Sequence, residues 1–241
     1  MISINSLIRP RTALVGAVTA MVMAGGIFAT GPAAAANLDG VWQLASPQAS
    51  LKPADGKAIS FTKDGQGLYE SNVKAAASHD LSFDLTETRC SSPGTPRIML
   101  SPMPMRIFQR PGMISILFQW NHLTRQLDLD PPPKQVDAAP SFMGSSFAHW
   151  AGDTLVVKTN YFLPQSLLDN LIPSSEDLAL MERMRLRDSN TLEDRITISD
   201  PQMFTRPWDV VLVYKRAPDD LFPFREDVCL DRIKAGLPLP R

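Results

Sequence analysis

Between Gly144 and Phe162 the chain reads GSSFAHWAGDTLVVKTNYF, which places Ser145, Ser146, His149 and Asp153 within ten positions. These are the residue types of a serine hydrolase. A nucleophile elbow, however, needs Gly-x-Ser-x-Gly on a strand-to-helix turn, and here Ala148 stands at the last position with a strand following it. If Ser145 to Trp150 is extended, Ser146, Ala148 and Trp150 share one face while Phe147 and His149 share the other, so Ser146 and His149 point apart. The stretch therefore reads as a hairpin. Gly152-Asp153 supply its turn, and Thr154 to Phe162 form a β-branched return strand with Leu155, Val157 and Tyr161 on one side.

Other polar residues fall into apolar registers, where they matter more. Arg125 alternates with Leu123, Leu127 and Leu129; Glu182 with Leu178, Leu180, Met184 and Leu186; Asp194 with Leu192, Ile196 and Ile198. The register Trp208, Val210, Leu212, Tyr214 ends on Arg216. An unpaired charge turned inward costs several kcal/mol, so Arg125 or Arg216 is expected to pair with Glu182 or Asp194. Such a polar floor beneath an apolar pocket can hold a ligand's hydroxyl, carbonyl or carboxylate, and a buried carboxylate of raised pKa can move a proton. The candidate catalytic set is Glu182, Asp194 and His122, the last beside Asn121 at a hairpin corner. The candidate ligand contacts are Arg125, Trp120, Tyr161 and Arg216.

Metals and cofactors find little support. Met99, Met103, Met105 and Met113 offer thioethers that suit Cu(I), but methionine more commonly fills irregular apolar space. The two cysteines, Cys90 and Cys229, have no nearby histidines to complete a zinc site. No phosphate-cradling glycine loop, His-Glu-x-x-His pair or dinucleotide fingerprint occurs, so no cofactor and no metal is expected.

The elements that must position these residues follow from the ends and the turns. Arg9 and Arg11 precede an apolar run from Thr12 to Thr30 and then Gly-Pro-Ala-Ala-Ala-Ala36, the pattern of a secretory signal peptide over residues 1–36. A periplasmic location is expected. No later segment is long and apolar enough to span a bilayer, so no stable membrane insertion is expected. Residues 37–241 then form one domain of 205 residues with a net charge of about −3, which offers no basic field for nucleic acid. In an oxidising compartment Cys90 and Cys229 are expected to form one disulfide that ties the C-terminal tail to the body.

Turn signals at Asp64-Gly65, Pro111-Gly112, Gly152-Asp153 and Ser189-Asn190 separate short alternating runs. The candidate strands are residues 40–44, 58–62, 105–109, 113–120, 123–129, 145–150, 154–162, 178–187, 191–199 and 208–216. Ten strands can close on themselves and remove exposed edges, so the expected fold is all-β, a single antiparallel lipocalin-like β-barrel. Glu70 to Asp80, Pro131 to Pro140 and Pro164 to Asp177 read as long loops, with a short helix at Gln165 to Leu171. Arg183, Arg185 and Arg187 form a solvated basic stripe on the barrel exterior, near Glu193 and Arg195.

Trp150-x-Gly152-Asp153-Thr154-Leu155-Val156-Val157, Gly40-Val-Trp42 and Cys90-x-x-Pro93-Gly94-x-Pro96-Arg97 resemble blocks of a large, mostly uncharacterised family of exported bacterial proteins. Glu182-Arg183, Asp200-Pro201, Pro207-Trp208 and Glu226-x-x-Cys229 follow in the matching order. The resemblance covers nearly the whole mature chain and implies a single β-rich, lipocalin-like exported domain; it implies no activity. Members often carry His or Tyr at the position of Ser145, Glu at that of Ala151, His at that of Ser174 and an apolar residue at that of Asp194. Two functions fit these readings. One is a periplasmic binding protein for a small hydrophobic or amphipathic molecule held in the barrel. The other is a cofactor-independent isomerase, lyase or hydratase using Glu182 or Asp194 as acid or base, with His122 or Tyr161 as partner.

Overall fold

The computed structural model describes residues 35–48, 50–129, 139–164, 166–226 and 228–237. The expected signal segment up to residue 34 and most of the Pro131 to Pro140 loop lie outside them.

Alternation of apolar and polar residues decides which way each strand faces. Among the described residues nine strands close into a barrel in chain order: β1 Gly40–Leu44, β2 Met105–Arg110, β3 Met113–Phe118, β4 Thr124–Asp128, β5 Ser145–Ala151, β6 Thr154–Asn160, β7 Ala179–Asp188, β8 Thr191–Ser199 and β9 Trp208–Arg216. β1 pairs with β9 to complete the ring. The inward registers supply the core, with Trp42, Ile107, Ile116, Leu127, Leu155, Val157, Leu192 and Ile196 each at most 1% exposed. Each such side chain contributes about 1.5–3 kcal/mol.

Every neighbouring pair is antiparallel except β4 and β5, which run parallel and meet only at Leu127 with Ser146 and Asp128 with Phe147. A parallel neighbour cannot be reached by a tight hairpin, and the connection from Leu129 to Gly144 is long enough to return the chain to the starting end. The barrel wall is therefore thinnest between β4 and β5.

One barrel end is closed by its own hairpins and a floor. Arg216 stacks over the Trp42 ring at 4.2 Å and donates from Nη1 to Asp39 O and from Nε to Ser189 O, both at 2.9 Å. Gly40, at φ +147, makes this possible, because a Cβ there would overlap the Arg216 guanidinium.

The opposite end is covered by the long connections. Here a 15-residue helix, α1 (Lys63–Ala77), replaces the loop expected at Glu70 to Asp80. Thr62 caps it by accepting from Gly65 N, and Asp64 lies in its first turn. Its buried residues are Gly65 and Asn72, so it lacks the apolar stripe by which a helix is read from sequence. The strand expected over Ala58 to Thr62 is reduced to a single bridge from Phe61 to Phe204, where Phe61 stacks with Tyr69 at 5.1 Å. The helix expected at Gln165 to Leu171 is absent over residues 166–171. The Asp169 carboxylate instead accepts from Leu51 N, Leu171 N and Ile172 N, and that competes with helical bonding.

Below this cover the chain plugs its own barrel. Ile98, Met99 and Leu100, in a short 3₁₀ helix, are at most 5% exposed. The Tyr214 hydroxyl donates to Met99 O at 3.0 Å. A buried bidentate pair from Arg97 to Asp84, at 2.8 and 2.6 Å, fastens the plug to α2 (Leu85–Arg89), whose N-terminus Asp84 also caps. Cys90, which ends α2, is bridged to Cys229 at the start of α3 (Cys229–Lys234), with Cα atoms 5.8 Å apart and a sequence separation of 139. Closing so long a loop restricts the unfolded chain, so Cys90→Ser/Cys229→Ser is expected to lower the unfolding free energy by about 2–4 kcal/mol. Urea unfolding, with the free energy taken from each protein's own midpoint and slope, is the readout, and an unchanged unfolding free energy would show that the bridge adds nothing.

Candidate functional site

The polar residues that alternation turns inward converge in the lumen. Arg125 on β4 reaches Glu182 on β7, with Nη1 donating to Oε1 at 2.9 Å and Nη2 to Oε2. Nε and Nη2 both donate to Ser146 Oγ on β5 at 3.2 Å, and Nη2 to Thr159 Oγ1 on β6 at 2.9 Å. The two hydroxyls lie 2.9 Å apart, and Met99 Sδ of the plug completes the shell 3.7 Å from Nη1. Register explains the grouping: Ser146 stands opposite Thr159, and Val157, two residues before Thr159, opposite Glu182. Arg125 is 2% exposed and Glu182 is fully buried. Burial alone would lower the Arg125 pKa, but the Glu182 carboxylate reverses that and holds it above its ordinary value.

Asp194 lies beside this pair and is also fully buried. Neither of its oxygens receives a hydrogen bond from a donor among the described residues. It faces the Glu182 carboxylate, and two acceptors cannot bond without a proton between them. Burial, then the charge of Glu182, push the Asp194 pKa well above the ordinary carboxylate value, with Arg125 offsetting part of the rise. The fold thus favours the protonated form of Asp194, whose hydrogen can be donated to the Glu182 carboxylate. Burial and the same two carboxyl groups also raise Tyr214 well above its ordinary value.

Two members of the cluster belong to strands that border an opening in the wall. A cavity of about 380 Å³ opens where β4 and β5 splay, and Arg125 and Ser146 line it together with Thr124, Gln126, Asp128, Gly144 and Phe147. Gly144, just before β5, lies close against the end of β6. At φ +67, a Cβ there would lie 2.7 Å from Thr159 Cγ2 and 2.9 Å from Asn160 O. Gly144→Ala is thus expected to cost roughly 1–3 kcal/mol and to shift Thr159. Urea unfolding and the Thr159 methyl resonance test this, and a neutral substitution would remove Gly144 from the account.

The structure brings Arg125, Glu182 and Asp194 together and leaves the other candidates elsewhere. Arg216 is engaged with backbone carbonyls at the Trp42 floor. Trp120 is 4% exposed and packs with Cys229, outside the barrel core. His122 is exposed and its Nε2 lies 3.1 Å from Arg225 O. Tyr161 was expected on one side with Leu155 and Val157; instead it is 41% exposed, because its φ of +63 ends the alternation and Phe162 takes the buried place. Thr159 and Ser146, not singled out as partners of Arg125, lie in the registers of Val157 and Ala148, a signal that was present in the sequence. Of the methionines, Met99 and Met105 are buried in the barrel and Met103 packs against the disulfide. Among the described residues no cluster of three metal-ligating His, Cys, Asp or Glu occurs. Outside the barrel, Arg185 and Arg187 both pair with Glu193.

No protein-family model matches the chain. No curated protein matches it either. Solved structures similar to the chain include two mutants of the fluorescent protein UnaG. These are 13% and 12% identical to the chain, with TM-scores of 0.34 and 0.32, and each match covers 75% of this chain and 96% of the other.

Proposed function

We propose that this protein binds a small amphipathic molecule, with the polar end of the ligand at the β4–β5 seam against the Arg125 and Ser146 floor. The observation that carries the reading is the cavity of about 380 Å³ whose lining includes Arg125 and Ser146 of the buried ionic cluster. Three ionisable groups inside a barrel add less stability than apolar side chains of the same volume, so their presence beneath an opening suits recognition better than packing. The basic, apolar and small-residue order of residues 1–36, and a disulfide far from any histidine cluster, support export to the periplasm and membership of the exported family that the sequence resembles. Native mass spectrometry of protein purified from its own compartment tests the binding reading. A stoichiometric small-molecule adduct is expected, and its absence from both native and amphiphile-exposed protein would sink the proposal.

A second reading is favoured by one observation, the donorless Asp194 carboxyl. An acid kept protonated beside an ionised partner is equipped to give up a proton to a substrate, as an isomerase or hydratase requires. Incubation of the recovered ligand with the protein separates the two: unchanged ligand supports binding, and a new product supports catalysis.

A further inference from the structure

We infer that the seam site takes the uncharged polar head of an amphiphile, an alcohol or a carbonyl group, and discriminates against the matching carboxylate. The inference rests on the binding reading above and specifies the ligand class of that site. Arg125 is the cation a carboxylate ligand would seek, yet none of its nitrogens is free. Nε is taken by Ser146, Nη1 by Glu182 and Met99, and Nη2 by Glu182, Thr159 and Ser146. The Arg125 charge is already balanced by Glu182, and Asp128 adds a further acidic side chain to the cavity lining.

Asp194 shows what this neighbourhood does to another carboxyl group. It sits beside the pair without a donor, and burial with the Glu182 charge raises its pKa and favours the neutral form. A ligand carboxylate would be one more acid in the same field and would have to leave water as well.

The hydroxyls point to the group that is accepted. Ser146 and Thr159 share one hydrogen bond, which uses the hydrogen of one of them, and both also accept from Arg125. The other hydroxyl hydrogen has no acceptor among the described residues. An oxygen acceptor on the ligand satisfies it without bringing a charge. Above Leu127 and Ser146 the facing edges of β4 and β5 have no register partner across the seam, so their backbone groups can receive the hydrogen of an alcohol.

Octanol and octanoate, matched in chain length, test the inference on the oxidised mature protein near neutral pH by ligand-observed NMR competition. Octanol is expected to bind at least about tenfold more tightly than octanoate. In Ser146→Ala, which removes a hydroxyl and frees Arg125 Nε, octanoate should gain and the ratio should fall to about threefold or less. Equal or tighter binding of octanoate to the unaltered protein overturns the inference and leaves the binding reading standing. A ratio unchanged in a folded Ser146→Ala protein also overturns it, because the head group would then lie elsewhere. If neither probe binds, the binding reading fails and the inference fails with it.

Discussion

Glu182→Gln is expected to lower the unfolding free energy by roughly 3–5 kcal/mol. Glutamine keeps the shape but offers one acceptor oxygen where the carboxylate offers two, and it turns an N–H₂ group toward a guanidinium that can only donate. Arg125 is 2% exposed, and an arginine cannot shed its proton at any ordinary pH. The cost is therefore that of a buried, uncompensated cation. Replacing both partners, as Arg125→Leu/Glu182→Leu, removes the charge as well as its counter-ion and should recover most of the loss. If the single variant loses under about 1 kcal/mol, Asp194 has ionised and taken over as counter-ion, which potentiometric titration of folded protein would register as one proton released. Urea unfolding of the three proteins at constant slope distinguishes these outcomes.

The strict period of two made the inward turn of Arg125, Glu182, Asp194 and Tyr214 legible, because a one-residue slip would expose every apolar neighbour in the same register. Which of them meet was not legible. Arg125 and Glu182 lie 57 residues apart and three strands apart around the ring, and the one parallel junction between them hides in the connection from Leu129 to Gly144. Left-handed residues also defeat periodicity. Asn121 and His122 at φ +49 and Tyr161 at φ +63 end their strands with a turn that side-chain type does not announce. Arg216 shares its register with Tyr214, yet at the strand's end it closes the floor over Trp42 instead of joining the lumen. Helix α1 escaped for a different reason: it carries glycine at positions 65 and 67 and covers the barrel mainly through Gly65 against Met203 and through Asn72, whose Nδ2 donates to Leu171 O at 2.9 Å.

Asp194→Asn is expected to gain on the unaltered protein as pH rises above about 4, by up to about 1.4 kcal/mol per pH unit for as long as the folded Asp194 keeps its proton. In the unfolded chain Asp194 titrates near pH 4. In the fold, burial first and the Glu182 charge second hold its pKa well above that value. Below about pH 4 both states keep the proton, and Asp194 gives stability no slope. Above it the unfolded chain has lost the proton that the fold retains, so folding takes one up and stability falls by about 1.4 kcal/mol per pH unit until the folded pKa is reached. Asparagine cannot titrate, and its amide can donate to Glu182 as the protonated acid does, so the variant keeps the contact and loses the slope. Glu193 works in the opposite sense: burial would raise its pKa, but Arg187 and Arg185 outweigh that and lower it. Its contribution therefore disappears only as pH falls below about 4, outside the window. Urea unfolding of both proteins at pH 5, 6 and 7 supplies the comparison. Parallel curves would mean that Asp194 folds as a carboxylate, and they would remove the proton on which both the neutral lumen and the acid-catalyst reading depend.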